Sequence, residues 1–180
     1  MKVLFFVCCL FTAGAEAYSI RMLAKTAGQV ISDRKVLIDT VIEYPKVFKT
    51  NSIGENNPKF FKESFNRLCL QAAILAENIY IDGAKVSKEL VDVEYARFKK
   101  ELGASRLLAF KQRYDLTSSD LWQIFKDKLL VAEIIDKRLS AFKALVSISS
   151  KSKSNAQSRL SDWFSRLRKR YPVERYEYSD

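Results

Sequence analysis

The 180-residue chain contains no histidine. That absence removes imidazole general bases, Ser-His and Cys-His nucleophilic pairs, and the usual nitrogen ligands of zinc. Cysteine is nearly as scarce. Of the 3 present, Cys8 and Cys9 fall in a segment that reads as an export signal, which leaves Cys69 alone. One thiol forms no intramolecular disulfide, no C-x-x-C redox pair and no thiolate cluster, so stability has to come from packing. Within "RLCLQAAILA", Cys69 reads as a small buried hydrophobe. No G-x-G-x-x-G or Walker A loop is present to cradle a nucleotide phosphate. Carboxylate pairs do occur, but Asp92 and Glu94 point in different directions on a helix, and Glu174 and Glu177 lie close to the C-terminus. Solubility accounts for both pairs. These gaps predict a binding protein rather than an enzyme, with neither a cofactor nor a metal.

Long apolar runs are missing as well. No stretch reaches the roughly 20 apolar residues that a membrane-spanning helix requires. What stands at the start is Lys2, the apolar run Val3 to Phe11, and Ala15-Glu16-Ala17 before Tyr18. This is the pattern of a cleaved signal peptide over residues 1–17. Val7 before Cys8 argues against a lipid anchor. The expected mature chain, residues 18–180, is then soluble and large enough for one domain with a sizeable core.

Charge is present in excess of one sign: 31 Lys and Arg against 21 Asp and Glu give +10. Export turns that balance away from nucleic acid and toward acidic polypeptides, anionic lipid surfaces or cell-wall polymers. Lys151 to Tyr171 carries seven positive residues against Asp162 alone. A solvated helix face is the simplest account of that run.

Glycine (5) and proline (3) are few, and helical periodicity dominates. "MLAKTAGQVIS" is the exception, where two short extended pieces meet at Ala27-Gly28 as a hairpin. Ser32 or Asp33 then caps a helix carrying Val36, Leu37, Val41 and Tyr44, which ends or kinks at Pro45. After the polar "KTNSIGENNPK", Phe61, Phe65, Leu68, Ala72, Leu75 and Ile79 form a core-facing stripe. Asp82-Gly83 breaks it, and Ser87 caps a helix with Val91, Tyr95, Phe98 and Leu102 that stops at Gly103. A short fourth helix holds Leu107, Leu108 and Phe110. Thr117 with Asp120 approximates a capping box before the longest helix, whose stripe is Leu121, Phe125, Leu129, Ala132, Ile135, Leu139, Phe142 and Val146. "SISSKSKSN", residues 147–155, reads as a linker. Beyond it come a helix with Leu160, Trp163, Phe164, Leu167 and Tyr171, and a strand from Val173 to Tyr178. A lone strand leaves its backbone groups unsatisfied, so the last strand is expected to join the N-terminal hairpin.

The order of these elements resembles the SurA type of bacterial periplasmic chaperone. "AGQVISDRKVLIDTVIE" is similar to that family's strand, glycine turn and first helix. Residues 67–103 resemble its second helix, glycine break and "V/I-S-x-E-x-L" helix start, and residues 114–139 its "G-L-S-x-x-D-L-R" turn with the long helix. "DWFSRLRKRYPVERY" resembles its separate C-terminal helix and strand. Ala27 replaces the Asn often found before the turn glycine. Parvulin-type prolyl isomerase domains, which lie in that family between the long helix and the C-terminal segment, are absent here.

The resemblance implies a mainly α chaperone core of about six helices, with a small β element formed by the N-terminal hairpin and the C-terminal strand. Residues 18–146 would form the helical domain, residues 147–155 the linker in place of the parvulin inserts, and residues 156–180 a helix and strand packing back on the same core. It further implies residence in the periplasm of a Gram-negative bacterium and ATP-independent holding of unfolded or partly folded envelope polypeptides, outer-membrane proteins included, without isomerase activity. Tyr44, Phe48, Phe60, Tyr114 and Trp122, near helix ends and loops, are candidates to line an apolar client groove, although burial in the core accounts for each taken singly. Lys128, Arg166 and Lys169 are candidates for basic surroundings that steer acidic clients. The alternative is an envelope adaptor or structural protein that binds one specific partner or an anionic surface through the Arg/Lys helix at 159–170.

Overall fold

The computed structural model describes residues 20–45, 58–78, 84–148 and 155–176. The expected signal segment, the loop containing Phe48, the Asp82-Gly83 break and most of the Ser/Lys linker lie outside the described residues. The chain is mainly α with a small antiparallel sheet. Its elements are β1 (Met22–Thr26), β2 (Gln29–Ser32), α1 (Asp33–Glu43), α2 (Pro58–Asn78), α3 (Lys88–Leu102), α4 (Ala104–Arg113), α5 (Ser118–Ile148), α6 (Ala156–Arg170) and β3 (Glu174–Arg175).

The hairpin turns on two left-handed residues, Ala27 at φ 49° and Gly28 at φ 76°. That pair is the geometry whose twist matches flanking strands, and it costs nothing at Gly28 but about 1 kcal/mol at Ala27, whose Cβ opposes it. The C-terminal strand completes the sheet in the order β2-β1-β3, with Ala24 opposite Arg175 and Lys25 opposite Glu174. Thr26 Oγ1 donates to the Tyr171 carbonyl at 3.1 Å, a second tie between the two ends of the described chain.

Caps set the helix starts. Ser32 Oγ accepts from the Lys35 N–H at 3.2 Å, Ser87 Oγ from Leu90 at 3.2 Å, and Asn155 Oδ1 from Ser158 at 2.7 Å. At α5 the capping box closes both ways: Thr117 N–H donates to Asp120 Oδ2 at 2.8 Å, and Asp120 N–H to Thr117 Oγ1 at 3.1 Å. Each such cap satisfies helix-end donors that would otherwise be orphaned.

α1 is the hub. Every residue from Val36 to Ile42 is buried, as expected for a helix enclosed on all sides. Around it, one core joins α1 with α3, α4 and the first half of α5, through Phe98, Leu102, Phe110, Leu121 and Phe125 among others. A second core joins α2, the second half of α5 and α6, through Ala73, Ile74, Val131, Ile134, Leu160, Trp163 and Leu167. Ile31, Val36 and Cys69 form a small third cluster under the sheet. Cys69 is buried, and burial pushes its thiol pKa up. One stripe assignment needs correction. Ala132 is exposed, whereas Val131 and Ile134 are buried, because the second half of α5 packs against α2 and α6 rather than α3.

Candidate functional site

β2, α1, α2 and the start of α5 enclose an open groove of about 620 Å³. Its apolar lining comes from Ile20, Ile31, Ile38, Leu68, Leu75, Leu116 and Ile124. Polar side chains edge it, with Arg34 and Lys35 from α1, Asp115, Asp120 and Asp127 from the α4–α5 turn and α5, and the amides of Gln29, Gln71 and Gln123.

The surrounding backbone is tied in place. Arg34 Nη2 donates to the Asp115 carbonyl at 2.9 Å and also to the Tyr114 carbonyl, binding α1 to the α4–α5 turn. Asp115 itself is left-handed at φ 44°. Lys35 Nζ donates to the Val30 carbonyl at 2.8 Å, holding the hairpin edge. The floor carries a charge network around a buried acid. Asp39, 3% exposed, accepts from Arg67 Nε at 2.9 Å, from Arg67 Nη2 at 2.7 Å and from Lys128 Nζ at 2.9 Å, and Glu43 pairs with the same lysine. Burial opposes the Arg67 charge, but the Asp39 hydrogen bonds and the Asp39 and Glu43 charges outweigh it and raise its pKa.

Two groove acids shift in opposite directions. Burial pushes the Asp127 carboxyl up, against a 2.7 Å hydrogen bond donated by Gln123 Nε2. The Thr117 hydrogen bonds pull Asp120 down.

Of the residues proposed from sequence, the structure brings only Lys128 into this groove. Its ammonium is committed to Asp39 and Glu43 rather than free for a client. Tyr44 and Phe60 do meet, ring centroids 4.5 Å apart, and Tyr44 donates to Glu63 Oε2 at 2.9 Å; they form a separate patch where α1 ends against α2. Tyr114 is corrected to a core residue: at 2% exposure its ring packs edge-on against Phe110, 5.4 Å away. Trp122 is half-buried on the α3–α5 face, donating Nε1 to Asp92 Oδ1 at 2.8 Å. Arg166 and Lys169 are exposed on α6 and do not line the groove, so its charged surroundings are of both signs and not simply basic. Phe48 lies outside the described residues.

The groove residues that sequence reasoning missed are chiefly Arg34, Leu116, Ile124 and Asp127. Asp39 carried a usable signal, since an acid inside the apolar run "VLIDTVIE" must find a cation when its helix is buried. Leu116 and Ile124 carried none, because facing a groove and facing the core have the same periodicity. Among the described residues there is no group of three metal-ligating side chains, and no helix is long and apolar enough to cross a membrane. No protein-family model matches the chain, and no match is found among curated proteins.

Proposed function

We propose that the protein is an ATP-independent holding chaperone of the periplasm that shelters unfolded envelope polypeptides in the groove between β2, α1, α2 and α5. The observation that carries this is the groove's composition, an apolar lining edged by amides and by charges of both signs. Such a surface accepts apolar side chains while the edge groups meet an extended backbone without fixing its sequence. The order of motifs that resembles the SurA type supports the same conclusion. Without a nucleotide step, release follows from the client folding or passing to a partner.

The test is whether residues 18–180 keep a urea-denatured outer-membrane protein soluble on dilution, without ATP, at two salt concentrations. Near-stoichiometric suppression is expected. Ile124→Glu, which puts a charge on the groove lining, should reduce it several-fold, and Leu108→Glu, on an exposed site of α4, should not. Equal suppression by native and Ile124→Glu chains refutes the groove. No suppression, with fixed-stoichiometry binding of one native protein, favours an envelope adaptor.

A further inference from the structure

A smaller cleft of about 300 Å³ lies between α2 and the C-terminal segment, and it shares no lining residue with the groove. Phe65, Cys69, Leu70 and Ala73 line it from α2. That volume is at the low end for small-ligand sites.

Two exposed arginines, Arg168 and Arg175, line this cleft beside its apolar surface. Arg175 is held by the pairing of β3 with β1 and by its position over the Phe65 ring, 5.6 Å from the centroid. Its charge reaches Cys69 and partly offsets the effect of burial on that thiol. Among the described residues neither arginine makes an ion pair, and no acid lines the cleft. Glu77, further along α2, is already engaged by Arg170 at 3.0 Å and by the Tyr171 hydroxyl at 3.4 Å. The part-buried Arg67 and Lys128, by contrast, are matched by Asp39 and Glu43. Guanidinium groups beside an apolar cleft, with no acid paired to them among the described residues, attract an anion, and the planar fork of arginine fits a carboxylate in particular.

We propose that this cleft binds a carboxylate carried on a small apolar body, held between Arg168 and Arg175 with its hydrocarbon against α2. The site stands independently of the client groove. Two sources offer that chemistry, a short fatty acid and the chain-terminal apolar residue of a polypeptide.

Calorimetric titration of the mature chain separates them, with octanoate and N-acetyl-leucine as probes and 1-octanol and N-acetyl-leucinamide as their uncharged analogues. Each carboxylate is expected to bind about tenfold more tightly than its analogue, the scale of a charge-assisted hydrogen bond. Whichever carboxylate binds more tightly identifies the source. Arg168→Gln should weaken both carboxylates about tenfold, and since Arg168 has no ring or ion partner among the described residues, this variant keeps the fold even if Arg175→Gln does not. Lys100→Gln, exposed on α3, removes the same charge and should leave binding unchanged. Bound octanoate should also slow alkylation of Cys69. The proposal is overturned by equal affinity for charged and uncharged probes, by equal losses in Arg168→Gln and Lys100→Gln, by an unchanged alkylation rate at saturation, or by no binding at millimolar concentration.

Discussion

The two main cores are built on opposite principles although one helix runs through both. The first is aromatic, and its rings are local in sequence: Tyr95, Phe98, Phe110, Tyr114 and Phe125 form a chain 5.3 to 6.1 Å apart on helices joined by short turns, onto which α1 docks from 80 positions away, as the Arg34–Tyr114 bond shows. The second is mostly aliphatic with one tryptophan, and it brings α6 back onto α2, as the Arg170–Glu77 pair shows across 93 positions. The ring chain can form early at little loop-closure cost, whereas docking α1 on it and closing the second core each require a long loop to close before they are rewarded. On α5 the changeover occurs between Phe125 and Val131, and Lys128, the cation of the Asp39 network, lies between them. The charged network therefore sits at the seam.

The largest effects should come from cutting into either core. Phe110→Ala and Trp163→Ala, at sites 0% and 4% exposed, should each cost about 3–5 kcal/mol. Trp122 borders the first core and Trp163 belongs to the second, so tryptophan fluorescence and far-UV circular dichroism together report on both. If α5 couples the cores, Phe110→Ala melts in one transition, lowered equally in both probes. Two separated transitions would show that the cores unfold independently.

Next in size is the seam. Asp39→Asn removes the carboxylate that Arg67 and Lys128 share and leaves both to Glu43 alone, a loss of about 2 kcal/mol, the scale of charge-assisted hydrogen bonds. Replacing Asp39, Arg67 and Lys128 together by Leu, Met and Met should cost less, since it removes the desolvation penalty along with the pairing and leaves only the part-exposed Glu43 to water. Chemical denaturation of the two variants checks the order. A triple variant as unstable as Asp39→Asn would mean that the network does more than balance charge.

The first core was largely legible in the sequence, and the second only in outline. Ser87 and the Thr117–Asp120 box mark their helices correctly, and Val91, Tyr95, Phe98 and Leu102 are all buried as their spacing predicts. Each of these signals is local. An isolated strand cannot satisfy its backbone, which puts the C-terminal strand beside the hairpin, and Glu174 and Arg175 do pair with β1. What periodicity missed is the change of partner along α5. A single helical stripe presumes a single neighbour, so it assigns Ala132 to the core and omits Val131. The groove was less legible still. Tyr114, an aromatic near a helix end, looks like a lining residue in sequence, yet it fills the core, while half-buried Leu116 and Ile124 line the groove.

The smallest effects compare two acids of one helix, Asp120 and Asp127, and they bear on the wall of the groove rather than on either core. Asp120 has its pKa lowered by Thr117, so its contribution is present above the carboxyl's unfolded pKa and is lost as pH falls through the folded one. Asp127 has its pKa raised by burial, which reverses the sign: it favours the fold in acid and loses that contribution as pH rises through the folded value. At neutral pH, Asp120→Asn should therefore melt below the native chain and Asp127→Asn slightly above it. Both differences should shrink as pH falls through the carboxylate range, where the native acids take up protons. Melting curves from pH 3 to pH 7 check this, and an Asp127→Asn gap that widened in acid would mean that Gln123, not burial, governs the charge on that wall.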